Sequence, residues 1–140
     1  MDVVRLLGVR SEPLSVDEAL AAVADPAAGG TCVFIGTVRD IDDGRDVTGL
    51  AYEAHPRVED TLRAVVDKVI ADVPVRRVAA VHRVGELGIG DIAVIVAVAA
   101  EHRQEAFAAC RRMIDDLKRE VPIWKHQVFD DGTDEWVGAP

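Results

Sequence analysis

The sequence DDLKREVPIWKHQVF, residues 115–129, decides how the second half of the chain folds. Pro122 disfavours helical geometry at the residue before it and clashes with the carbonyl four residues back. A helix that enters this stretch is therefore predicted to end near Arg119 or Glu120. The apolar and aromatic run over residues 123–129 predicts a β-strand. A sharp turn at the proline brings the end of the helix close to this strand.

The same stretch carries most of the lysine in the protein. Of 16 Lys and Arg residues only three are lysine, and two of them, Lys118 and Lys125, lie here; the third is Lys68. A lysine amine shifts its pKa with its surroundings, whereas an arginine guanidinium keeps its charge, so scarce lysines suggest amines kept for chemistry. The alternative is structural. Lys118 would then oppose the dipole at a helix C-terminus, and Lys125 would be a solvated strand residue.

The composition is that of a globular protein with one domain, residues 1–140, and a core of its own. Hydrophobic residues make up 49% of the chain and charged residues 29%. The net charge of −9 and the aromatic content of 4% disfavour binding to nucleic acid or to an anionic membrane. An anionic ligand would therefore need a local basic pocket.

Cys32 and Cys110 each lie in an apolar run. This placement predicts small buried side chains and not metal ligands or disulfide halves. The first residues lack the pattern of a signal peptide, and the longest apolar run, residues 92–100, is too short to cross a bilayer. The expected location is the cytoplasm.

The first half of the chain predicts strands and helices in alternation. A strand over residues 2–9 is followed by a capping box, Ser15 to Glu18, which begins a helix. The apolar run 31–38 predicts a strand covered on both faces. Residues 49–54 predict a second strand that pairs with it, and a helix follows Pro56.

The second half predicts two strands, 77–84 and 91–100, joined by a hairpin with the sequence GELGIG. A third helix begins at residues 101–103, and the C-terminal tail, 130–140, predicts a short hairpin return that docks through a tryptophan. The whole order predicts an α+β protein with helices packed on a mostly antiparallel sheet. The buried stripe predicted for the third helix is Phe107, Cys110, Met113, Ile114 and Leu117.

Two further basic positions are candidates for binding an anion. Arg39 directly follows a buried strand, although it can equally pair with an aspartate of the loop 40–46. His102 and Arg103 lie at a helix start, where free amides favour anions and arginine adds a bidentate donor. A cation is unfavourable for the helix dipole there, which makes Arg103 more suggestive of function.

Strand alternation relates the residues around Lys125. His126 is expected on the opposite face, and Gln127 on the same face as Lys125. No His, Cys or carboxylate group has the spacing of a metal site, so we expect no metal. The residues alone indicate a basic pocket for a phosphate or carboxylate ligand.

Five segments in one chain carry a family resemblance. They resemble the large, catalytic subunit of molybdopterin synthase, in order, from about residue 3 to residue 137. The segments are FIGTVRD (34–40), YEAHP (52–56), VHRVGELGIGD (81–91), AEHRQEAF (100–107) and LKREVPIWKHQ (117–127).

The resemblance implies a sulfurtransferase of molybdenum cofactor biosynthesis. Such enzymes convert cyclic pyranopterin monophosphate (precursor Z) to molybdopterin. The sulfur comes from the thiocarboxylate at the C-terminal Gly-Gly of a small ubiquitin-like subunit. The resemblance also implies an α/β hammerhead fold with a small additional sheet, and a homodimer of large subunits within a heterotetramer. It implies no metal or organic cofactor.

The resemblance also implies roles for individual residues. Lys118 and Lys125 match the catalytic lysines, and Lys118 is expected to act at the thiocarboxylate carbonyl. The implied substrate-binding residues are Thr37, Val38, Arg39, His102, Arg103, His126 and Gln127. Two other functions stay open on the residues alone. One is a non-catalytic dimeric module that binds an anionic metabolite, and the other is a structural partner that docks through the apolar hairpin and tail.

Overall fold

The computed structural model describes residues 2–137, so residues 138–140 of the predicted tail lie outside it. The helices are α1 (Val16–Val23), α2 (Val58–Asp72) and α3 (Arg103–Glu120). The strands are β1 (Val4–Arg10), β2 (Gly30–Thr37), β3 (Ile41–Asp42), β4 (Arg45–Ala54), β5 (Arg77–Arg83), β6 (Gly85–Leu87), β7 (Ile92–Ala100), β8 (Ile123–Phe129) and β9 (Asp134–Val137).

The strands form two sheets. The first has the order β1-β5-β7-β2, and the second has the order β3-β4-β8-β9 with β6 also paired to β4. Only the β1–β5 pair is parallel among the described strands. The predicted α+β class with a mostly antiparallel sheet is therefore confirmed.

The core lies on both faces of the first sheet, and β7 shows why. Along this central strand, Val94, Val96 and Val98 pack with α2 and α3, whereas Ile95 and Ala97 pack on the α1 side. Because successive strand residues point to opposite faces, a continuous apolar run is what a strand covered on both sides requires. Cys110 is buried, as predicted, whereas Cys32 lies on the edge strand β2 and is only partly buried against the same cluster.

Two predictions about the first half of the chain are wrong. The run 31–38 is not covered on both faces, because β2 is an edge strand and leaves Phe34 39% and Ile35 42% exposed. Residues 49–54 do not pair with it either, since β2 pairs with β7 and β4 pairs with β8. Apolar composition indicates a strand but does not say whether that strand lies at the centre or the edge of a sheet.

The predicted stripe of α3 is wrong at Phe107, which is 61% exposed. The buried positions are Ala106, Ala109, Cys110, Met113, Ile114, Asp116 and Leu117. The small side chain of Ala106 therefore takes the place in the core that the larger apolar residue was expected to fill.

The stretch around Pro122 folds as predicted. Helix α3 ends at Glu120 and β8 spans Ile123–Phe129, while the Pro122 carbonyl accepts a hydrogen bond from His55 N at 3.1 Å. The tail returns as β9 against β8, and Trp136 stacks on a histidine of β8. None of the described helices combines the length and apolar character needed to cross a membrane.

Replacement of Met113 by alanine tests the packing of α3. Met113 is fully buried between the helix and the first sheet, so we expect Met113→Ala to lower the free energy of unfolding by about 2–5 kcal/mol. Urea unfolding at fixed protein concentration measures it. Arg111→Ala on the exposed face of the same helix is the control, with a change within about 0.5 kcal/mol. Equal losses in the two variants would contradict this packing.

Candidate active site

A small cavity lies where the end of α3 meets the second sheet. Its volume is about 200 Å³. Both Lys118 and Lys125 line it, and none of its lining residues in the described range 2–137 is a carboxylate. The other lining residues are Tyr52, His82, Leu117, Val121, Ile123 and Val137. The cavity is therefore a local positive site on an acidic protein.

The turn at Pro122 is what brings the two lysines together. Lys118 lies in the last turn of α3 and Lys125 lies opposite Tyr52 in the β4–β8 register. The pKa of Lys118 is lowered, first because surrounding protein removes water from its amine and second because the Lys125 charge repels it. A lysine with a lowered pKa exchanges a proton more readily near neutral pH.

Two aromatic rings complete the cavity, and neither was predicted from the sequence. Tyr52 and His82 contact each other edge to face, with ring centroids 4.8 Å apart. Burial raises the pKa of Tyr52, and burial is also the first cause that lowers the pKa of His82 to about 4. The signal that could have revealed His82 is a titratable residue inside an otherwise apolar strand, RVAAVHR.

Arg39 lies near the lysines but does not line their cavity. Its side chain is 72% exposed and contacts Asp42 at 3.4 Å. Asp42 in turn accepts a hydrogen bond from Gln127 at 2.8 Å. The loop that carries Arg39 is thus tied to the strand that carries Lys125. The alternative in which Arg39 pairs with an aspartate of its loop is confirmed, and the binding of an anion by Arg39 stays a prediction.

The Gln127 side chain is already occupied within the chain. Its buried amide donates to Asp42 and, at 3.0 Å, to Glu135. These bonds tie β3 and β9 to β8, so the side chain braces the site and its amide hydrogens are not free for a ligand.

His126 lies on the opposite face of β8, as alternation predicts. It lines a different cavity from Lys125. Its ring stacks on Trp136 with centroids 4.5 Å apart, and its Nε2 lies 2.7 Å from a carboxylate oxygen of Asp134. Within this chain it holds the C-terminal strand in place.

Thr37 and Val38 lie at the end of β2, on the approach to Arg39. Thr37 is exposed beside a break in the β2–β7 register. Val38 is buried, and its backbone exchanges hydrogen bonds of 2.9 and 3.0 Å with Gly90 and Asp91. Contacts from this segment to a ligand would therefore come from the Thr37 side chain and the Arg39 guanidinium.

His102 and Arg103 lie far from the lysines in the same chain. They line an open cleft of about 610 Å³ at the N-terminus of α3, which is about 22 Å along the helix from Lys118. A Cβ at Gly30 would lie 3.6 Å from Arg103 Cα, so this cleft also adjoins the start of β2. One chain does not bring all the predicted site residues together.

Comparison with known proteins identifies the family of this chain. The family model described as MoaE protein matches residues 9–120. The chain belongs to the MoaE family. The resemblance drawn from the sequence motifs is therefore confirmed.

Named relatives of this MoaE-family chain agree with that assignment. The chain is 51% identical over 128 residues to molybdopterin synthase catalytic subunit 1 of Mycobacterium tuberculosis, covering 91% of this chain and 86% of the relative. The crystal structure of molybdopterin synthase from Staphylococcus aureus superposes with a TM-score of 0.88 at 32% identity and covers 94% of this chain and 96% of that one.

A more distant structure shares the fold. It is the complex of subunits 1 and 2 of the molybdopterin-converting factor from Helicobacter pylori, with a TM-score of 0.68 at 20% identity. The match covers 97% of this chain and 90% of that one. At this identity the similarity shows that the fold is kept.

Replacement of Gln127 by methionine tests the brace between Arg39 and Lys125. The pKa of Asp42 is lowered, first by the hydrogen bond from Gln127 and further by Lys125 and Arg39. Such a carboxylate stabilises the fold above its unfolded pKa of about 3.9, and this stabilisation is lost as pH falls through the lower folded pKa. We expect Gln127→Met to raise the Asp42 pKa and to cost about 1–3 kcal/mol at pH 7.

Carboxyl-detected NMR titration and urea unfolding at pH 7 and pH 3 measure these two effects. The cost is expected to shrink at pH 3, where Asp42 begins to be protonated in the variant. Asp131 is the internal control, because the first cause of its lowered pKa is a hydrogen bond from Thr133. An unchanged Asp42 titration in the variant would count against the brace.

Proposed function

We propose that this chain is the catalytic subunit of a molybdopterin synthase. It converts cyclic pyranopterin monophosphate to molybdopterin with sulfur from the C-terminal thiocarboxylate of a small ubiquitin-like subunit. The observation that carries the proposal is the cavity with two lysines and, among the residues that the structure describes, no lining carboxylate. Membership of the MoaE family and the named relatives support it. The cytoplasmic location stays a prediction from the sequence.

The cavity suits the two anions of this reaction. One is the thiocarboxylate that enters on the partner's terminal glycines, and the other is the phosphate of the pterin substrate. Two ammonium groups that line one cavity concentrate positive charge there and attract such anions more strongly than a single isolated lysine does. The narrow cavity favours a chain end without side chains. The proposal requires no metal or organic cofactor.

The different surroundings of the two lysines suit them to different roles in the reaction. Lys118 has the lowered pKa, so we assign it proton transfer at the thiocarboxylate carbonyl as sulfur leaves. Lys125, with Arg39 beyond Asp42, supplies fixed positive charge where negative charge develops. A module that only bound an anion would need the charges but not the proton transfer by Lys118.

The complete site is assigned to a homodimer. The free edge of β2 exposes Phe34 and Ile35, and Phe107 is exposed near the start of the same strand. Pairing of two copies along this edge about a two-fold axis is antiparallel and isologous. The start of β2 in one copy, with Arg103 beside it, would then lie next to the end of β2 in the other, which leads to Arg39.

This arrangement explains why the predicted binding residues occupy both ends of α3. His102 and Arg103 of one copy would meet the phosphate held near the Lys118 cavity of the second copy. Thr37 and Arg39 would border the same ligand from the second copy itself. The Helicobacter pylori relative is a complex of two different subunits, which supports a separate small partner for this chain as well.

Loss of Lys118 tests the catalytic assignment. With thiocarboxylated small subunit and precursor Z, we expect Lys118→Ala to form molybdopterin about 100-fold or more slowly, because proton transfer and charge stabilisation are both lost. Lys118→Arg keeps the charge but not a shiftable pKa and is expected to stay impaired. Fluorescence of the oxidised pterin measures product.

Lys68→Ala is the matched control, since Lys68 is an exposed lysine on α2 near Glu120. It is expected to keep normal activity. A Lys118→Ala variant that still produces molybdopterin at the normal rate would overturn the catalytic role of Lys118. A wild-type chain that binds the pterin but forms no molybdopterin would favour the non-catalytic anion-binding module.

Mixed dimers test whether the site spans two copies. Lys118→Ala and Arg103→Ala chains are each expected to be inactive alone. When the two are co-expressed, half of the dimers are mixed, and each mixed dimer holds one site with both native residues. Activity should recover to about a quarter of the wild-type value under two-fold symmetry.

Recovery requires that the two residues come from different chains. If Lys118 and Arg103 served one site within the same chain, every site in the mixture would carry one defect. The mixture would then stay as inactive as either parent, and that result would overturn the shared site.

A further inference from the structure

His82 lies in the wall of the lysine cavity and has no role in the mechanism so far. It is 2% exposed and follows four buried apolar residues in β5, positions 78–81. A buried polar side chain is costly unless it makes hydrogen bonds. A valine or leucine would continue the apolar pattern of the strand. The presence of an imidazole beside Lys118 therefore calls for a physical reason.

The hydrogen bonds of the ring identify which nitrogen carries the proton. His82 Nδ1 lies 2.7 Å from the carbonyl oxygen of Arg83. A carbonyl oxygen only accepts hydrogen bonds, so Nδ1 carries the hydrogen and donates it. In the neutral ring Nε2 is then a bare acceptor, and no described residue donates a hydrogen bond to it. The orientation of the ring is held by its edge-to-face contact with Tyr52.

The surroundings keep this ring neutral. Among the described residues, the titratable groups that line the cavity with it are Tyr52 from β4, Lys118 from α3 and Lys125 from β8, and none of them is a carboxylate. The pKa of His82 is lowered to about 4, first by burial and further by the charge of Lys118. Near neutral pH the ring therefore offers an uncharged acceptor to the lysines.

We propose that His82 is a positioning residue for Lys118: rotation of the Lys118 side chain within the cavity that both residues line lets its amine donate a hydrogen bond to the free Nε2 of His82. The bond holds one N–H of the amine against the cavity wall, so that the rest of the amine points into the cavity. When Lys118 gives a proton to the reaction, one of its two remaining N–H bonds stays donated to Nε2. Both lysines line the cavity with His82. Lys118 is the one assigned to Nε2 because its charge, and not that of Lys125, is among the causes that lower the His82 pKa.

The kinetic part of this proposal rests on the proposed function, but the hydrogen bond itself does not. The pKa of Lys118 is measurable on the purified chain, from the pH dependence of its acylation followed by mass spectrometry of the Lys118 peptide. His82→Phe keeps a planar ring and removes the acceptor. We expect it to lower the Lys118 pKa by about one pH unit, because the ammonium loses a partner.

His82→Gln is the conservative variant, since its side-chain oxygen lies close to the position of Nε2. It is expected to restore most of the Lys118 pKa. Lys68 in the same digest is the reference and should not change. An unchanged Lys118 pKa in a folded His82→Phe variant would overturn the proposal.

A second measurement leaves His82 in place and covers the case in which His82→Phe does not fold. Nitrogen NMR of the wild-type chain reports the Nε2 resonance of His82, and Lys118→Met removes the proposed donor. We expect the Nε2 resonance to move in Lys118→Met and to stay unchanged in Lys68→Met. The same Nε2 resonance in all three proteins would overturn the hydrogen bond.

Kinetics separate positioning from a general loss of structure. In the synthase reaction we expect His82→Phe to lower kcat about 10-fold or more with little change in KM, and to shift the pH profile in the direction of the Lys118 pKa. His82→Gln should restore kcat. If the wild-type chain made no molybdopterin, the proposed function would fail while the titration and NMR results still decided the role of His82.

Discussion

The structure of the site depends on two like charges held in one small cavity. Lys118 and Lys125 line a space of about 200 Å³ that no carboxylate of the described residues borders. The pKa of Lys118 is lowered first by burial and further by the charge of Lys125. An arrangement that opposes its own charges persists only when the surrounding fold holds it. Here the buried stripe of α3 fixes one lysine and the long β4–β8 ladder fixes the other.

Sequence reasoning succeeded where the governing interactions are local. Pro122 stops a helix through the geometry of its own ring, so the end of α3 and the start of β8 could be predicted from neighbouring residues. Prediction from the sequence failed where a residue's contacts are to residues far away in the chain. Neither the edge position of β2 nor the exposure of Phe107 follows from local apolar content. The face of Gln127 was predicted from alternation, yet its donation to Asp42 joins residues 85 positions apart.

The length of α3 sets a further constraint on function. Its two ends carry the lysine cavity and the His102–Arg103 cleft, and a rigid helix does not let them approach each other. A sequence motif identifies candidate site residues, but it does not show whether the residues of one site come from one chain or from two. Strand β2 lies at the edge of its sheet and runs from one end of the helix towards the other. Pairing of two copies along this strand would place the two ends of α3 from different copies next to each other, which favours a symmetric dimer. In such a dimer the length of α3 spaces two shared sites.

The chemical nature of the group beside Lys118 also matters. A carboxylate in the position of His82 would pair with the ammonium and hold Lys118 in its charged form, as buried ion pairs do. An apolar residue would leave the amine without a partner and free to rotate. A neutral imidazole, with Nδ1 bonded to the Arg83 carbonyl, offers a hydrogen bond without a compensating charge. It directs the amine without adding a counter-charge, so burial and Lys125 still keep the Lys118 pKa below its usual range, which is what an amine that must exchange a proton requires.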